Sequence, residues 1–334
     1  MNARQVSMTK PIASLSLDLD NKWSYLKTHG DPNWATSSSY LDKVVDRFNS
    51  ILGPTKTKMT VFVVGRDADD PKNREALQSL VDAGHEIGNH SYNHEPWLHL
   101  YSDDELRNEL DRAEEAILSA TGQRPTGFRG PGFSFSESLL SMLAERGYKY
   151  DCSTFPTYLG PLARAYYFLR SGLGREEKEK RANLFGSVWE GFRPLKPYRW
   201  KLGKGQLTEI PVTTMPIFRV PIHASYILFL ARWSEMLAQA YLQLGLVLCR
   251  MTGVQPSILL HPLDVLGCDD ESDLSFFPAM DLPSEKKIRV MSRLIATLNR
   301  SFQVVPMGVH VQELEKARLS LKVPPPRPAL AEAR

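Results

Sequence analysis

A strict alternation of apolar and polar side chains marks the first strand that the sequence predicts. Residues 13–20 form two faces of four side chains each: Ala13, Leu15, Leu17 and Leu19 on one, and Ser14, Ser16, Asp18 and Asp20 on the other. A period of two is that of a half-buried β-strand, so both carboxylates point the same way. Such acids need partners if they are buried; otherwise the strand simply ends in a solvated turn.

The rest of the chain alternates between short apolar runs and longer amphipathic ones. The further strands predicted are 59–64, 85–88, 126–129, 148–151, 207–212, 257–261 and 302–305, and the helices are 37–52, 71–83, 103–121, 136–146, 225–251 and 283–300. Ser102 is placed to cap the third of these helices, and Gly122 to end it. Alternating strands and helices predict an α/β fold whose parallel sheet closes into a barrel.

One large domain accounts for most of the chain. With 334 residues, 42% hydrophobic and 24% charged, the composition suits a single barrel with additions. The predicted organisation is an N-terminal extension over 1–10, a barrel over 11–320 with an insertion at about 157–206, and a disordered Pro-rich tail over 321–334.

Two histidines four residues apart follow the third predicted strand. His90 and His94 would lie on one side of the chain if it turned helically there. Two neutral imidazoles and a carboxylate form a common zinc site that leaves a fourth position for water. His85 is interpreted as structural and His99 as an exposed loop residue.

In three more segments a polar or charged side chain follows a short apolar run directly. Arg129 lies in the segment Gly127–Phe133, Asp151 precedes Ser153, and His261 ends the run that begins at Ser257. Active sites of β/α barrels lie at the C-terminal ends of the strands. The sequence therefore predicts one site to which several strands contribute.

Taken in order, these five segments resemble the motifs of the polysaccharide deacetylase family, which shares the NodB-homology domain and includes carbohydrate esterase family 4. The resemblance covers about residues 12–306, apart from 157–206. It implies a distorted (β/α) barrel, a divalent metal that is usually Zn²⁺, and hydrolysis of an N-acyl amide on an amino sugar. Other divalent transition metals suit the same side chains.

The resemblance also implies a role for each motif residue. Asp18 would be the general base, Arg129 its orienting partner, His261 the general acid, Asp151 the partner of His261, and Asp20, His90 and His94 the metal ligands. Pro131, Gly132, Phe133 and Ser153 would contact the substrate.

The chain departs from the family pattern at three motifs, one of which is the fourth: it lacks the usual aromatic residue directly after the serine, although Phe155 is close. Leu19 separates two aspartates that are adjacent in many members, and this variant resembles an intracellular branch of deacetylases, deformylases and cyclic-amide hydrolases. In the third motif the glycine, Gly132, comes one position early. These departures affect the expected sugar contacts more than the expected metal site.

The predicted insertion is rich in basic and aromatic residues. Residues 170–206 hold ten basic and four acidic side chains, a local charge of +6, interleaved with five large aromatic residues. One interpretation is a solvated surface insertion. The other is a basic lip that meets phosphate groups or an anionic membrane.

A second unusual stretch lies between residues 220 and 251. Its uncharged core, 236–249, has 14 residues, fewer than the roughly 20 that span a bilayer. A buried barrel helix is therefore predicted, with an interfacial membrane helix as the alternative.

Charge and cysteine content narrow the expected partners and compartment. A net charge of +3 gives no indication of nucleic-acid binding. Three scattered cysteines suggest reduced thiols, and the first ten residues lack the apolar core of a secretory signal. A cytoplasmic protein is therefore expected. Peripheral contact with the inner face of the membrane is an open alternative.

The function predicted from the sequence is removal of an N-acetyl or N-formyl group from an amino sugar. The expected substrate is an intracellular or lipid-phosphate-linked glycan precursor. Two alternatives remain: a cyclic-amide hydrolase of the allantoinase or imidase type, and a barrel that binds carbohydrate without catalysis.

Overall fold

A computed structural model describes residues 10–170, 174–180 and 187–317. The predicted extension, except for Lys10, and the predicted tail at 321–334 lie outside the described residues. So do parts of the insertion, including Phe185.

A curved sheet forms the centre of the molecule. The strands are β1 (Ile12–Leu19), β2 (Thr60–Val63), β3 (Glu86–Asn89), β4 (Gly127–Phe128), β5 (Tyr150–Asp151), β6 (Tyr198–Arg199), β7 (Thr208–Glu209), β8 (Ser257–Leu260) and β9 (Gln303–Val305). Their order is β6-β7-β5-β4-β3-β2-β1-β8, and β9 pairs with the first residues of β1. All pairs are parallel except β6 with β7. The predicted barrel-like α/β fold is confirmed, and every predicted strand position holds a strand.

The predicted closure of the sheet is wrong for the part of the chain that the structure describes. The strand order ends at β6 on one side and at β8 on the other, and β6 is antiparallel. Several strands are only two residues long. Strands this short curl as a half-barrel, but they offer little edge for a closing ladder.

Helices cover the outside of the sheet. The α-helices are α1 (Lys22–His29), α2 (Leu41–Leu52), α3 (Gly65–Asp69), α4 (Arg74–Asp82), α5 (Asp103–Thr121), α6 (Glu137–Glu145), α7 (Gly160–Arg170), α8 (Arg175–Lys180), α9 (Ala224–Ala231), α10 (Glu235–Thr252), α11 (Ser284–Ser301) and α12 (Met307–Lys316). The predicted start of α5 is confirmed: Ser102 and Glu105 form a capping box. The sequence did not predict α1, α3, α7, α8 or α12.

The helix predicted at 225–251 is two helices. The chain breaks at residues 232–234, where Ser234 accepts a hydrogen bond from the Leu237 amide at 3.2 Å and caps α10. The prediction that this segment is a buried helix holds for one face only. Leu242 and Leu246 are buried, whereas Met236 is 82% exposed.

Both faces of β1 are buried, one in the apolar core and the other in a polar environment. Leu15, Leu17 and Leu19 are completely buried in the largest apolar cluster. The polar face of β1 is buried as well, with Asp18 only 5% exposed, which corrects the prediction of a half-buried strand. Buried carboxylates require compensating partners, so this face must form a polar site. Among the described helices, none is long and apolar enough to cross a membrane.

Candidate metal centre

Strand register brings the predicted site residues to one edge of the sheet. Leu19 pairs with Val63, Val63 with Asn89, and Asn89 with Phe128. One position further along each strand stand Asp20, Val64, His90 and Arg129. Residues far apart in sequence therefore meet at the carboxyl ends of parallel strands, as the sequence predicted.

His90 and His94 converge without the helical turn that the sequence analysis assumed. Ser91 and His94 have positive φ angles of 63° and 54°, and no helix forms between them. The turn is held by the buried carboxylate of Glu109, which accepts the amides of Tyr92 at 2.9 Å and Asn93 at 2.6 Å. The two imidazole centroids lie 4.9 Å apart.

Three predicted metal ligands form a compact cluster. The Asp20 Oδ1 atom lies 3.3 Å from His90 Nε2 and 3.0 Å from His94 Nε2, and the three ligand atoms lie within 4.8 Å of one another. Burial alone would raise the pKa of Asp20, but the two facing histidines hold this pKa well below its usual range.

These three side chains fit a divalent metal. Asp20 Oδ1 is buried and has no hydrogen-bond partner among the described residues, so an additional positive centre would satisfy it. The other ring nitrogen of His90, Nδ1, lies 2.6 Å from the Arg129 carbonyl, and such a contact leaves Nε2 free to coordinate. One carboxylate and two imidazoles match zinc and related transition metals.

Asp18 lies beside this cluster and is paired with Arg129. The Arg129 Nη1 atom donates to Asp18 Oδ1 at 2.7 Å and to Ser16 Oγ at 3.0 Å. Arg129 Nε donates to the Cys152 carbonyl at 3.1 Å. The second oxygen of Asp18 lies 3.9 Å from His90 Nε2. Asp18 is therefore oriented by a buried guanidinium, with one oxygen directed towards the metal ligands.

His261 reaches the same edge from the other side of β1. Leu17 pairs with Leu260, so His261 follows next to Asp18 on the neighbouring strand. Its Nδ1 atom lies 3.5 Å from the Ser225 hydroxyl, which donates to Asp264 Oδ1 at 2.9 Å. The second oxygen of Asp264 accepts the His261 amide at 2.7 Å.

The predicted Asp151–His261 pair is replaced by this arrangement. Asp264 lies three positions after His261, in the 3-10 turn that Pro262 begins, and is therefore close enough to reach back. Asp151 accepts instead from the Ser153 hydroxyl at 2.6 Å. Burial raises the pKa of Asp151, and it raises the pKa of the facing Glu209 further because the two carboxylates repel.

The predicted substrate contacts divide into two groups. Phe133 is half-buried and stacks on Phe155, with ring centroids 4.9 Å apart, and Gly132 has a φ of 59° that helps to place it. In contrast, Pro131 and Ser153 are buried. The Ser153 hydroxyl is occupied, because it accepts the Gly130 amide at 2.8 Å and donates to Asp151.

Sequence reasoning missed two side chains that line this region. His223 packs edge-on to His261 at 6.0 Å and lies 5.6 Å from the ring of Phe155. Burial lowers the pKa of His223 to about 3, and its Nδ1 atom has no hydrogen-bond partner among the described residues. Trp23 packs edge-on to His94 at 6.4 Å and donates to Asp67 at 2.9 Å. Neither residue belongs to a motif with recognisable spacing.

A polysaccharide deacetylase family profile matches residues 33–150 of the chain. This stretch holds His90, His94 and Arg129, while Asp18, Asp20 and His261 lie outside it. Curated relatives match over short segments, and two of them are described here. The peptidoglycan deacetylase of Helicobacter pylori is 35% identical over 98 residues, which cover 29% of this chain and 31% of that protein.

The second relative is the peptidoglycan-N-acetylmuramic acid deacetylase PdaA of Bacillus subtilis. It is 32% identical over 113 residues, which cover 34% of this chain and 40% of PdaA. The matched segments thus span less than half the length of either relative.

Several solved structures resemble the chain over nearly its whole length, and two of them are described here. A provisionally assigned polysaccharide deacetylase from Mycobacterium smegmatis superposes with a TM-score of 0.64, 21% identity, and coverage of 98% of both chains. Puue allantoinase superposes with a TM-score of 0.55, 17% identity, and coverage of 95% and 94%. At these identities the likeness concerns the fold.

Proposed function

We propose that the chain, whose residues 33–150 match the polysaccharide deacetylase profile, is a metal-dependent hydrolase that removes an N-acyl group from an amino sugar. The single observation that carries this proposal is the buried Asp20–His90–His94 cluster with the Asp18–Arg129 pair directly beside it. A non-catalytic sugar-binding barrel would have no use for a buried carboxylate oxygen that faces two imidazoles and has no hydrogen-bond partner in the described part of the chain.

The chemistry divides between the two sides of the cluster. A divalent ion held there would supply Lewis acidity, which polarises an amide carbonyl and makes a nearby water more acidic. Asp18 accepts the proton of the attacking water, and Arg129 holds its carboxylate in position. His261, linked to Asp264 through Ser225, donates a proton to the departing amine. Acid–base assistance of this kind contributes about 10²–10⁴ in rate.

The aromatic residues beside His261 supply the proposed sugar contacts. Phe133 and Phe155 form a stacked pair, and His223 stands next to that pair with one ring nitrogen that no described residue contacts by a hydrogen bond. Apolar ring faces pack against sugar C–H groups, and a neutral imidazole can exchange a hydrogen bond with a hydroxyl. This arrangement favours an amino sugar over a small cyclic amide.

The proposal also covers the class of amino sugar and the molecule that carries it. Both curated relatives are deacetylases of peptidoglycan, so an N-acetylated amino sugar of that class is the first candidate substrate. We further propose that the sugar is presented as an intracellular or lipid-linked precursor. The support is the Leu19 spacing between the two aspartates and the basic character of residues 170–206.

Metal analysis and amide hydrolysis test the proposal together. The purified protein should hold about one divalent ion per chain and release acetate or formate from N-acylated amino-sugar oligomers or glycolipids, but it should not open the ring of allantoin. Asp20→Asn should lose both the ion and the activity. Asp18→Asn should keep the ion and lose about 10²-fold or more in kcat.

A matched control is Asp111→Asn, an exposed acid on α5. It should change neither metal content nor rate. A protein without stoichiometric metal, or with unchanged activity in Asp18→Asn, contradicts the proposed function. Allantoin hydrolysis without sugar deacylation would replace it with the cyclic-amide alternative.

A further inference from the structure

Two indole rings and two cations form a group beside the candidate metal centre. This group, here called the indole–cation cluster, consists of Trp23, Lys27, Trp34 and Arg66. The centroids of the two indole rings lie 5.9 Å apart. The Trp23 ring also packs edge-on to the imidazole of His94, with centroids 6.4 Å apart. The indole–cation cluster is therefore in direct contact with one of the proposed metal ligands.

The backbone of Arg66 is attached to the turn that carries the two histidine ligands. Arg66 follows the last residue of β2 by three positions, at the carboxyl edge of the sheet. Its amide donates to the Tyr92 carbonyl at 3.1 Å, and the amide of Gly65 donates to the Ser91 carbonyl at 2.8 Å. Both acceptors belong to the turn between the two histidines. Arg66 thus lies at the edge where active sites of this architecture are built.

The two indole rings hold the guanidinium of Arg66 in place. Its Cζ atom lies 4.8 Å from the ring centroid of Trp23 and 4.9 Å from that of Trp34. Arg66 is half-buried, and its side chain forms no hydrogen bond or ion pair with any described residue. Stacking on an aromatic ring engages the face of a guanidinium and leaves the N–H donors in its plane for another partner.

The acids on α3 and the acid that pairs with Lys27 have other partners. Glu95 forms an ion pair with Lys27, the second cation on the two indole rings. On α3, Asp67 accepts an indole N–H at 2.9 Å and Asp69 accepts a tyrosine hydroxyl at 2.6 Å. Within the described part of the chain, the charge of Arg66 is therefore not balanced by an ion pair.

This combination of groups suits a sugar that carries a negative charge. A planar guanidinium can donate two parallel hydrogen bonds to the oxygens of a carboxylate or a phosphate. Aromatic faces pack against the C–H groups of a sugar ring. The indole–cation cluster offers both kinds of contact next to the metal ligands, so a substrate bound at the metal centre can reach them.

We propose that Arg66, held by Trp23 and Trp34, binds an anionic substituent of the amino sugar, either a carboxylate or a phosphate. This proposal rests on the proposed function, because it assigns a feature of the substrate that the metal centre hydrolyses. It implies that charged N-acylated amino sugars are better substrates than neutral ones of the same size.

Equilibrium binding to the Asp18→Asn variant with Zn²⁺ tests the anion site without turnover. The probes are N-acetylmuramic acid, which carries a carboxylate, N-acetylglucosamine 1-phosphate, which carries a phosphate, and neutral N-acetylglucosamine. Tryptophan fluorescence reports binding, because two indoles belong to the cluster. At least one anionic probe should bind about tenfold or more tightly than the neutral probe, and Asp18→Asn/Arg66→Gln should lose this preference. The anionic probe that binds more tightly identifies the group.

A matched control is Asp18→Asn/Arg250→Gln, which should keep the preference. Arg250 is an exposed arginine in the last turn of α10, the helix that leads into the amino end of β8. Anionic probes that bind no better than the neutral probe, or a preference that survives Arg66→Gln, would overturn the proposal.

Steady-state kinetics give a second readout that separates binding from folding. On an N-acylated oligomer with the preferred anion, Arg66→Gln should lower kcat/KM about tenfold or more, chiefly through KM, and Arg66→Lys should recover part of it. On a neutral N-acetylated chitooligosaccharide the rate should stay within about twofold of the parent. Equal losses on both substrates would indicate a structural role and refute the anion site. A protein that binds the anionic probe through Arg66 but hydrolyses no amino-sugar amide would contradict the proposed function and support the anion site.

Discussion

The buried ion pair of Asp18 and Arg129 allows a quantitative test of how the site is held. Arg129 is completely buried and Asp18 is 5% exposed, and their contact measures 2.7 Å. Arg129→Met would leave the carboxylate buried without its cation. Removing one partner of such a pair costs about 3–5 kcal/mol in unfolding free energy. For a chain of 334 residues that loss corresponds to a fall of about 4–7 °C in Tm.

Replacing both partners should cost less than the two single changes together. Asp18→Asn alone leaves the Arg129 charge buried with Ser16 and the Cys152 carbonyl as its remaining acceptors. In the double variant neither charge remains. We therefore expect a coupling free energy of at least about 2 kcal/mol between the two substitutions.

The assay is denaturant unfolding of the four proteins in the presence of EDTA, so that loss of metal does not contribute. Arg232→Met serves as a control, because its partner Asp281 is 57% exposed and that pair should contribute at most about 1 kcal/mol. Additivity of the Asp18 and Arg129 substitutions within about 0.5 kcal/mol would refute the reasoning.

Three further predictions concern metal, pH and backbone. Zn²⁺ at 100 times its Kd should raise the free energy of unfolding of the parent by about 2.7 kcal/mol, measured by thermal unfolding. The same Zn²⁺ concentration should stabilise the His94→Ala variant far less. Equal stabilisation of both proteins would mean that the ion binds elsewhere. Burial lowers the pKa of His310 to about 4, so on acidification the unfolded chain binds a proton that the folded protein does not bind. The free energy of unfolding of the parent should therefore lose about 2 kcal/mol of its advantage over that of His310→Gln between pH 7 and pH 5. A difference between the two proteins that stays constant with pH would contradict this. Gly130→Ala should lower Tm by several degrees, because its Cβ would lie 1.8 Å from the Ser134 carbonyl oxygen, whereas Ala at Gly53, where the Cβ meets nothing within 4 Å, should not.

The sequence predicted the site best where the functional side chains lie on or directly after a strand with a clear alternation of apolar and polar residues. The alternation around Asp18 and Asp20 fixed their common direction, and the parallel sheet brought His90 and Arg129 to the same edge. The register of the parallel strands determines which residues meet, because the carboxyl ends of these strands share an edge whatever the length of the connections.

The errors came from contacts that no periodicity encodes. Asp151 precedes the site on its own strand, yet Asp264 reaches His261 through a local turn that Pro262 starts. The turn between His90 and His94 depends on Glu109, a distant acid on α5. Closure of the sheet depends on strand length, which the propensity of short apolar runs overestimates.

The position of β1 between β2 and β8 affects the order in which the sheet can form during synthesis. Among the described strands β1 is synthesised first, and residues Ser16–Leu19 can pair with β2 early. Ser14, however, pairs with Ser257 in β8, which is synthesised only after β2 to β7. Until then one edge of an apolar strand lies open, a state that invites wrong pairing and chaperone capture. His261 directly follows β8, so the strand that covers this edge also carries the proposed general acid. Pairing of β8 with β1 therefore covers the exposed edge and completes the proposed catalytic site in one step.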